Sequence, residues 1–153
     1  MITSQKYIDF VTETFFYLID EYDYENGNVT INGNIFYDVE FKKTNKIISI
    51  SLETLENYPR VIIFNSDGRI LSDYDNRTKT IHLNQLIKEI LPNLEKINFE
   101  LNEKYFEKFK PETETEKLIL KSAKELRICL KNKNKNCLLQ PFVKMWVLKL
   151  NYF

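Results

Sequence analysis

The sequence predicts an α+β fold, with an N-terminal helix, a four- to five-stranded antiparallel meander and a helical C-terminal half. Three observations carry this. Apolar residues recur at helical spacing up to Tyr22, alternate with a period of two from Ile35 to Leu52, and return to helical spacing after Leu83. Short turn sequences punctuate the middle region, and they suit antiparallel neighbours, since parallel strands need long crossovers. Finally, 11 Phe and 9 Tyr in 153 residues supply core area, while 3 Gly and 4 Pro leave little room for flexible linkers.

Ser4 is the expected N-cap of the first helix, which should run to about Tyr22. Ile8, Val11, Phe15, Leu18 and Tyr22 form its apolar stripe, and Asp9, Glu13 and Asp20 fall away from it. Phe16 lies off the centre of the stripe and suggests a broad buried face. Asn26-Gly27 and Asn32-Gly33 are hairpin-type dipeptides, because both residue types tolerate positive φ. Ile35, Tyr37, Val39 and Phe41 then alternate with Phe36, Asp38, Glu40 and Lys42, so one face should be buried and the charges should point to solvent. Thr44-Asn45 turns the chain into a strand carrying Ile48, Ile50 and Leu52. Tyr58-Pro59 punctuates, residues 60–65 form another strand, and Ser66-Asp67-Gly68 turns into residues 69–72.

Leu86, Ile87, Ile90 and Leu91 make a short helix that Pro92 stops. Asn102 is read as the cap of a helical turn holding Tyr105, Phe106 and Phe109. Thr113-Glu114-Thr115-Glu116 fits a capping box, and the helix it opens carries Ile119, Ala123, Leu126 and Leu130 on one side. A polar loop over residues 131–137 and an apolar tail over 138–153, with Trp146 and Pro141, complete what reads as one domain, 1–153. A chain this long buries about two-thirds of its unfolded surface and needs no disulfide or metal staple.

Net charge is zero, which disfavours a non-specific nucleic-acid binder. The distribution is uneven: residues 1–40 hold 8 acids and one base, Lys6, whereas residues 131–153 hold 5 lysines and no acid. Asp20, Glu21, Asp23 and Glu25 crowd within six residues, with no lysine nearby in sequence. Carboxylates at a helix C-terminus oppose the helix dipole, so helix stability does not account for them. They are read as an acidic recognition surface for a basic partner, against the plainer account of a solvated, solubilising face. The N-terminus lacks the apolar stretch of a secretory signal, no apolar run reaches the roughly 18 residues of a membrane span, and Cys129 and Cys137 read as reduced thiols. A cytoplasmic protein with no membrane and no nucleic-acid partner is the expectation.

The chemistry-bearing patterns are weak. Asp38, Glu40 and Lys42 on one strand face resemble the restriction-type nuclease core, in which carboxylates hold a divalent ion and the lysine helps activate water. That family places its leading acid on a separate strand, further upstream. His82 is the only histidine, so it and two well-spaced cysteines make no histidine-based zinc site, and a Cys137–His82 dyad is the one cysteine-histidine pairing the sequence offers, without a second histidine beside it. Cys129 falls on the inner side of a helix, where a cysteine acts as a small hydrophobe. Asp73-Tyr74-Asp75-Asn76 lacks the glycine and final Glu of a calcium loop. No catalytic residue, no cofactor and no metal ion is therefore expected. The segment 142–150 is apolar and basic, and reads as an element docked on the core or a homodimer contact.

In outline, an acidic amphipathic helix, a meander with Asn-Gly turns and a helical C-terminal half resemble the small α+β immunity proteins of bacterial polymorphic and contact-delivered toxin systems. The stretch 101–109, leading to 118–130, resembles their C-terminal half. The resemblance is one of pattern over about two-thirds of the chain, and it carries over no functional residue. It implies a non-catalytic module that neutralises a cognate toxin by direct binding. The alternatives are a homo-oligomeric adaptor using the C-terminal tail and a metal-dependent nuclease.

Overall fold

The computed structural model describes residues 1–65 and 80–133. The element order is that of an α+β fold: α1 (Ser4–Thr14), α2 (Tyr17–Tyr22), β1 (Glu25–Asn32), β2 (Phe36–Lys43), β3 (Lys46–Glu53), β4 (Tyr58–Asn65), β5 (Thr80–His82), α3 (Leu83–Ile90), a 3-10 turn (Leu91–Asn93), α4 (Lys96–Phe106) and α5 (Glu114–Asn132). The strands pair in sequence order as one antiparallel sheet, β1-β2-β3-β4-β5.

The expected first helix is two helices. Thr14 Oγ1 donates to the carbonyl of Phe10 at 2.7 Å, a back-bond that bends helices. Phe15 then leaves the helical region, and the chain restarts at Tyr17. The break lets Phe15, Tyr17 and Leu18 all enter the core, where an unbroken stripe would have spread them around the axis. Phe16 is half exposed, Ile8 is only partly buried, and Tyr7 takes the deep position instead. The N-cap is Thr3, not Ser4: its side chain accepts from the Lys6 N–H at 3.3 Å.

Asn32-Gly33 is a turn, with Gly33 at φ 53°. Asn26-Gly27 is not. It lies inside β1, beside a register shift between Asn26 and Val29. A Cβ on Gly27 would stand 2.8 Å from the Glu40 carbonyl oxygen, so glycine here serves a close backbone approach at a bulge. Thr44-Asn45 joins β2 to β3 with Asn45 at φ 63°. Tyr58 and Pro59 do not interrupt the sheet: they open β4, opposite Glu53 and Leu52. The strand expected over residues 69–72 and the acidic turn at Asp73 lie outside the described residues.

Asn102 is no cap. α4 begins six residues earlier, at Lys96, and Asn102 is a buried mid-helix residue. Thr113 and Glu116 form the expected capping box, and Ile119, Ala123, Leu126 and Leu130 are all buried. Lys131 and Asn132, read as loop, complete the last turn of α5.

Register assigns each strand residue to a face. Tyr37, Val39, Phe41, Ile48, Ile50, Leu52, Val61, Ile63 and Ile81 share the first face and one apolar cluster. Every helix contributes to that cluster, through Val11, Leu18, Leu86, Phe106 and Leu126 among others. Two tyrosine hydroxyls fix the layers: Tyr7 donates to the Ile50 carbonyl at 2.7 Å and Tyr17 to the Ala123 carbonyl at 3.0 Å. Among the described residues no helix is long and apolar enough to cross a membrane.

Phe15 is fully buried against Tyr17 and Phe41, with ring centroids 6.1 and 6.4 Å away. Phe15→Ala should therefore lower unfolding free energy by about 3–5 kcal/mol in urea titration, whereas Phe16→Ala should change it by less than about 1 kcal/mol.

Candidate functional site

The α2–β1 corner brings the four candidate carboxylates to one end of the sheet's outer strand. Because the first helix breaks at Phe15, Asp20 lies in the first turn of α2 and not at a helix C-terminus; Glu21 follows it, Asp23 ends the helix in the left-handed conformation at φ 61°, and Glu25 opens β1. Asp20, Asp23 and Glu25 are set apart from Glu21 by their surroundings: all three are exposed, Glu25 has exposed Lys42 opposite it in the β1–β2 register, and Asp20 makes no ion pair among the described residues. Glu21 has a partner that local sequence does not show. Its two carboxylate oxygens accept from Arg127 Nη2 at 2.8 Å and Nε at 3.2 Å, in a bidentate pair across 106 positions of chain. Lys131 Nζ stands 3.9 Å away.

Arg127 is buried, and its remaining groups are also engaged. Nη1 donates to Asn102 Oδ1 at 3.0 Å, while Asn102 Nδ2 donates to the Lys124 carbonyl at 2.9 Å. The guanidinium lies 3.8 Å from the ring centre of Tyr105. One side chain of α5 thereby binds α2 through Glu21 and α4 through Asn102 and Tyr105. A planar fork flanked by an aromatic face suits arginine and not lysine. Tyr24, between Asp23 and Glu25, is buried, and its hydroxyl has no hydrogen-bond partner among the described residues. The Lys43 ammonium lies 4.9 Å from its ring centre and donates to the Tyr22 carbonyl at 3.3 Å.

Beyond this corner β1 is the outermost strand of the described sheet. All of its residues except Gly27 are exposed, including Val29 at 49% and Ile31 at 50%. An outer strand with open backbone groups and apolar side chains is a natural place for another extended segment to pair. Sequence reasoning missed this feature because it read Asn26-Gly27 as a turn.

The Asp38, Glu40 and Lys42 row is arranged differently from the expected solvent-facing charges. Lys42 is exposed, but Asp38 and Glu40 are only 2% and 4% exposed. Asp38 Oδ1 accepts from Ser49 Oγ at 2.6 Å. Burial pushes the Asp38 carboxyl up to about 6, with the Glu40 charge adding to the rise and the Ser49 bond opposing it. Burial raises Glu40 too, against a hydrogen bond from the Asn28 backbone. Among the described residues no three His, Cys, Asp or Glu side chains are grouped as a metal site.

His82 precedes α3 as its N-cap, and its backbone N–H donates to Gln85 Oε1 at 2.8 Å. Cys129 is buried, and burial pushes its thiol up to about 12, far from a thiolate nucleophile. Cys137 and the segment 142–150 lie outside the described residues. Two grooves flank α4, of about 450 Å³ on the side of Phe99 and Lys121 and about 500 Å³ on the side of Leu101 and Lys131. Comparison with protein-family models, curated protein sequences and solved structures finds no match to this chain.

Two outcomes test this geometry. Arg127→Met strands Glu21 and the Asn102 oxygen and should cost about 3 kcal/mol in chemical denaturation, and Arg127→Lys should recover less than half of it. For Asp38 the folded value of about 6 lies above the ordinary 3.8, so the folded state holds the proton more tightly. Its contribution is present in full below about pH 4 and is lost as pH rises through 6. Denaturation midpoints of Asp38→Asn should therefore fall less between pH 4 and 7 than those of the unsubstituted chain.

Proposed function

We propose that this protein is a non-catalytic binding module, and specifically an immunity protein that neutralises a cognate bacterial toxin by direct contact. The observation that carries the reading is the continuity of an acidic corner with an open outer strand. Asp20, Asp23 and Glu25 gather at the start of β1, and Val29 and Ile31 offer exposed apolar contacts further along it. An extended basic segment laid along β1 gains main-chain hydrogen bonds and apolar contacts, while the carboxylates steer its approach. Toxins that act on nucleic acid carry basic surfaces, and an acidic module competes with phosphate for the same groups. Glu21 adds little to the corner's field, since Arg127 neutralises it and Lys131 stands close by.

The partner to test is the toxin-like product of the gene adjacent to this one, purified with this chain. Association should slow as salt rises from about 50 to 500 mM, because screening shortens the reach of the corner's field. Asp23→Lys with Glu25→Lys should slow it by about tenfold or more, and Ile31→Lys should shorten the lifetime of the complex. A rate indifferent to both salt and charge reversal removes the acidic corner from the interface. Failure to bind any neighbouring product removes the immunity reading.

A further inference from the structure

The sheet has a second face that no described helix covers. Register places Asp38, Glu40, Ser49, Ser51, Ile62, Phe64 and Thr80 at its centre, inside a margin that includes the exposed Lys42, Glu53, Tyr58 and Arg60. The seven central residues are buried, at 0–4% exposure, although the helices join the apolar cluster of the opposite face, from which Ile62 and Phe64 are absent. A face with two large apolar side chains and two carboxylates is not buried by its own strands. We propose that this face is the seat of the chain's own apolar C-terminal segment, residues 138–153.

Three features single out that occupant. The first is position. α5 delivers the chain at Lys133, whose charge acts on Lys46, as does that of Lys43, at the β2–β3 turn, so the segment starts at one end of the sheet. The second is reach. Sixteen extended residues span roughly 50 Å, against roughly 27 Å for an eight-residue strand. The third is chemistry. Phe142, Met145, Trp146, Leu148, Leu150 and Phe153 match Ile62 and Phe64, and the segment's charges, Lys144 and Lys149, are opposite in sign to Asp38 and Glu40. The other stretch at hand, residues 66–79, has only Ile70, Leu71 and Tyr74 as large apolar residues, and its charges balance, Asp67, Asp73 and Asp75 against Arg69, Arg77 and Lys79. This inference is independent of the immunity reading.

The test uses thiol and tryptophan reporters. In the full chain with Cys137→Ser, the thiol introduced by Ser51→Cys should resist a maleimide reagent under native conditions. In the same chain ended at Lys133 it should react at least about 100-fold faster, with buried Cys129 as the internal control. A native circular dichroism spectrum after truncation, with the introduced thiol still protected, overturns the proposal in favour of residues 66–79. Should the truncated chain fail to fold, the full chain answers alone. Trp146 is the only tryptophan, and a nitroxide at Arg60→Cys, on the same sheet face, should quench it far more than one at Glu107→Cys, just beyond α4. Equal quenching from both positions, or free quenching by acrylamide, overturns it. Protection seen only in a species sedimenting as two chains assigns the face to a second copy and overturns the intrachain seat.

Discussion

The buried guanidinium of Arg127 is the constraint around which the helical layer is arranged. A charge that is nearly out of contact with water must find acceptors for its donors, and the energetic penalty of leaving one unpaired exceeds the net gain from making the bond. Arg127 meets that demand with Glu21 on α2 and Asn102 on α4, and stacks on Tyr105. The position of α2 follows from this contact. So does the place where the chain turns at Asp23 into β1, and hence the orientation of the acidic corner. Glu21, which sequence reading assigns to the recognition surface, is also part of the frame that holds that surface in place.

The sheet presents a second constraint of the same kind. Alternation along β2 separates Tyr37, Val39 and Phe41 from Asp38 and Glu40 as the period of two requires. Alternation says which residues share a face, but not whether water reaches it. Both faces of β2 are buried, so the carboxylates take local partners, Ser49 Oγ and the Asn28 backbone, and hold their protons more tightly than exposed acids do. Opposite serines at Ser49 and Ser51 on β3 make chemical sense in that setting, because small hydroxyls can donate to a buried carboxylate.

Much of the architecture was legible. The capping box at Thr113 and the i, i+3, i+4 pattern behind it are local signals, and α5 follows them closely. Pro92 ends α3's helical run, Thr44-Asn45 makes a two-residue connection, and the antiparallel order follows from short links. The errors share a cause. Gly27 and Asn102 were given their commonest local roles, turn former and cap, whereas Glu40's backbone and Arg127's guanidinium, 13 and 25 positions distant, decide the roles they have. Thr14 was unremarkable in the pattern of α1 because a back-bond to Phe10 bends a helix without altering its apolar periodicity.

Local chemistry in the chain is enough to give the fold class, the central strands β2 to β4, helix α5 and the concentration of acids between Asp20 and Glu25, but not the break between α1 and α2, nor β1 and β5. These depend on backbone propensity and on side-chain periodicity, which act over a few residues. Only long-range contacts settle that Glu21 is paired with Arg127, that Asp38 and Glu40 are buried, and that β1 is the outermost strand among the described residues. Each of those facts depends on which distant group comes within about 3–4 Å or excludes water, and electrostatic and hydrogen-bond energies are set at that range.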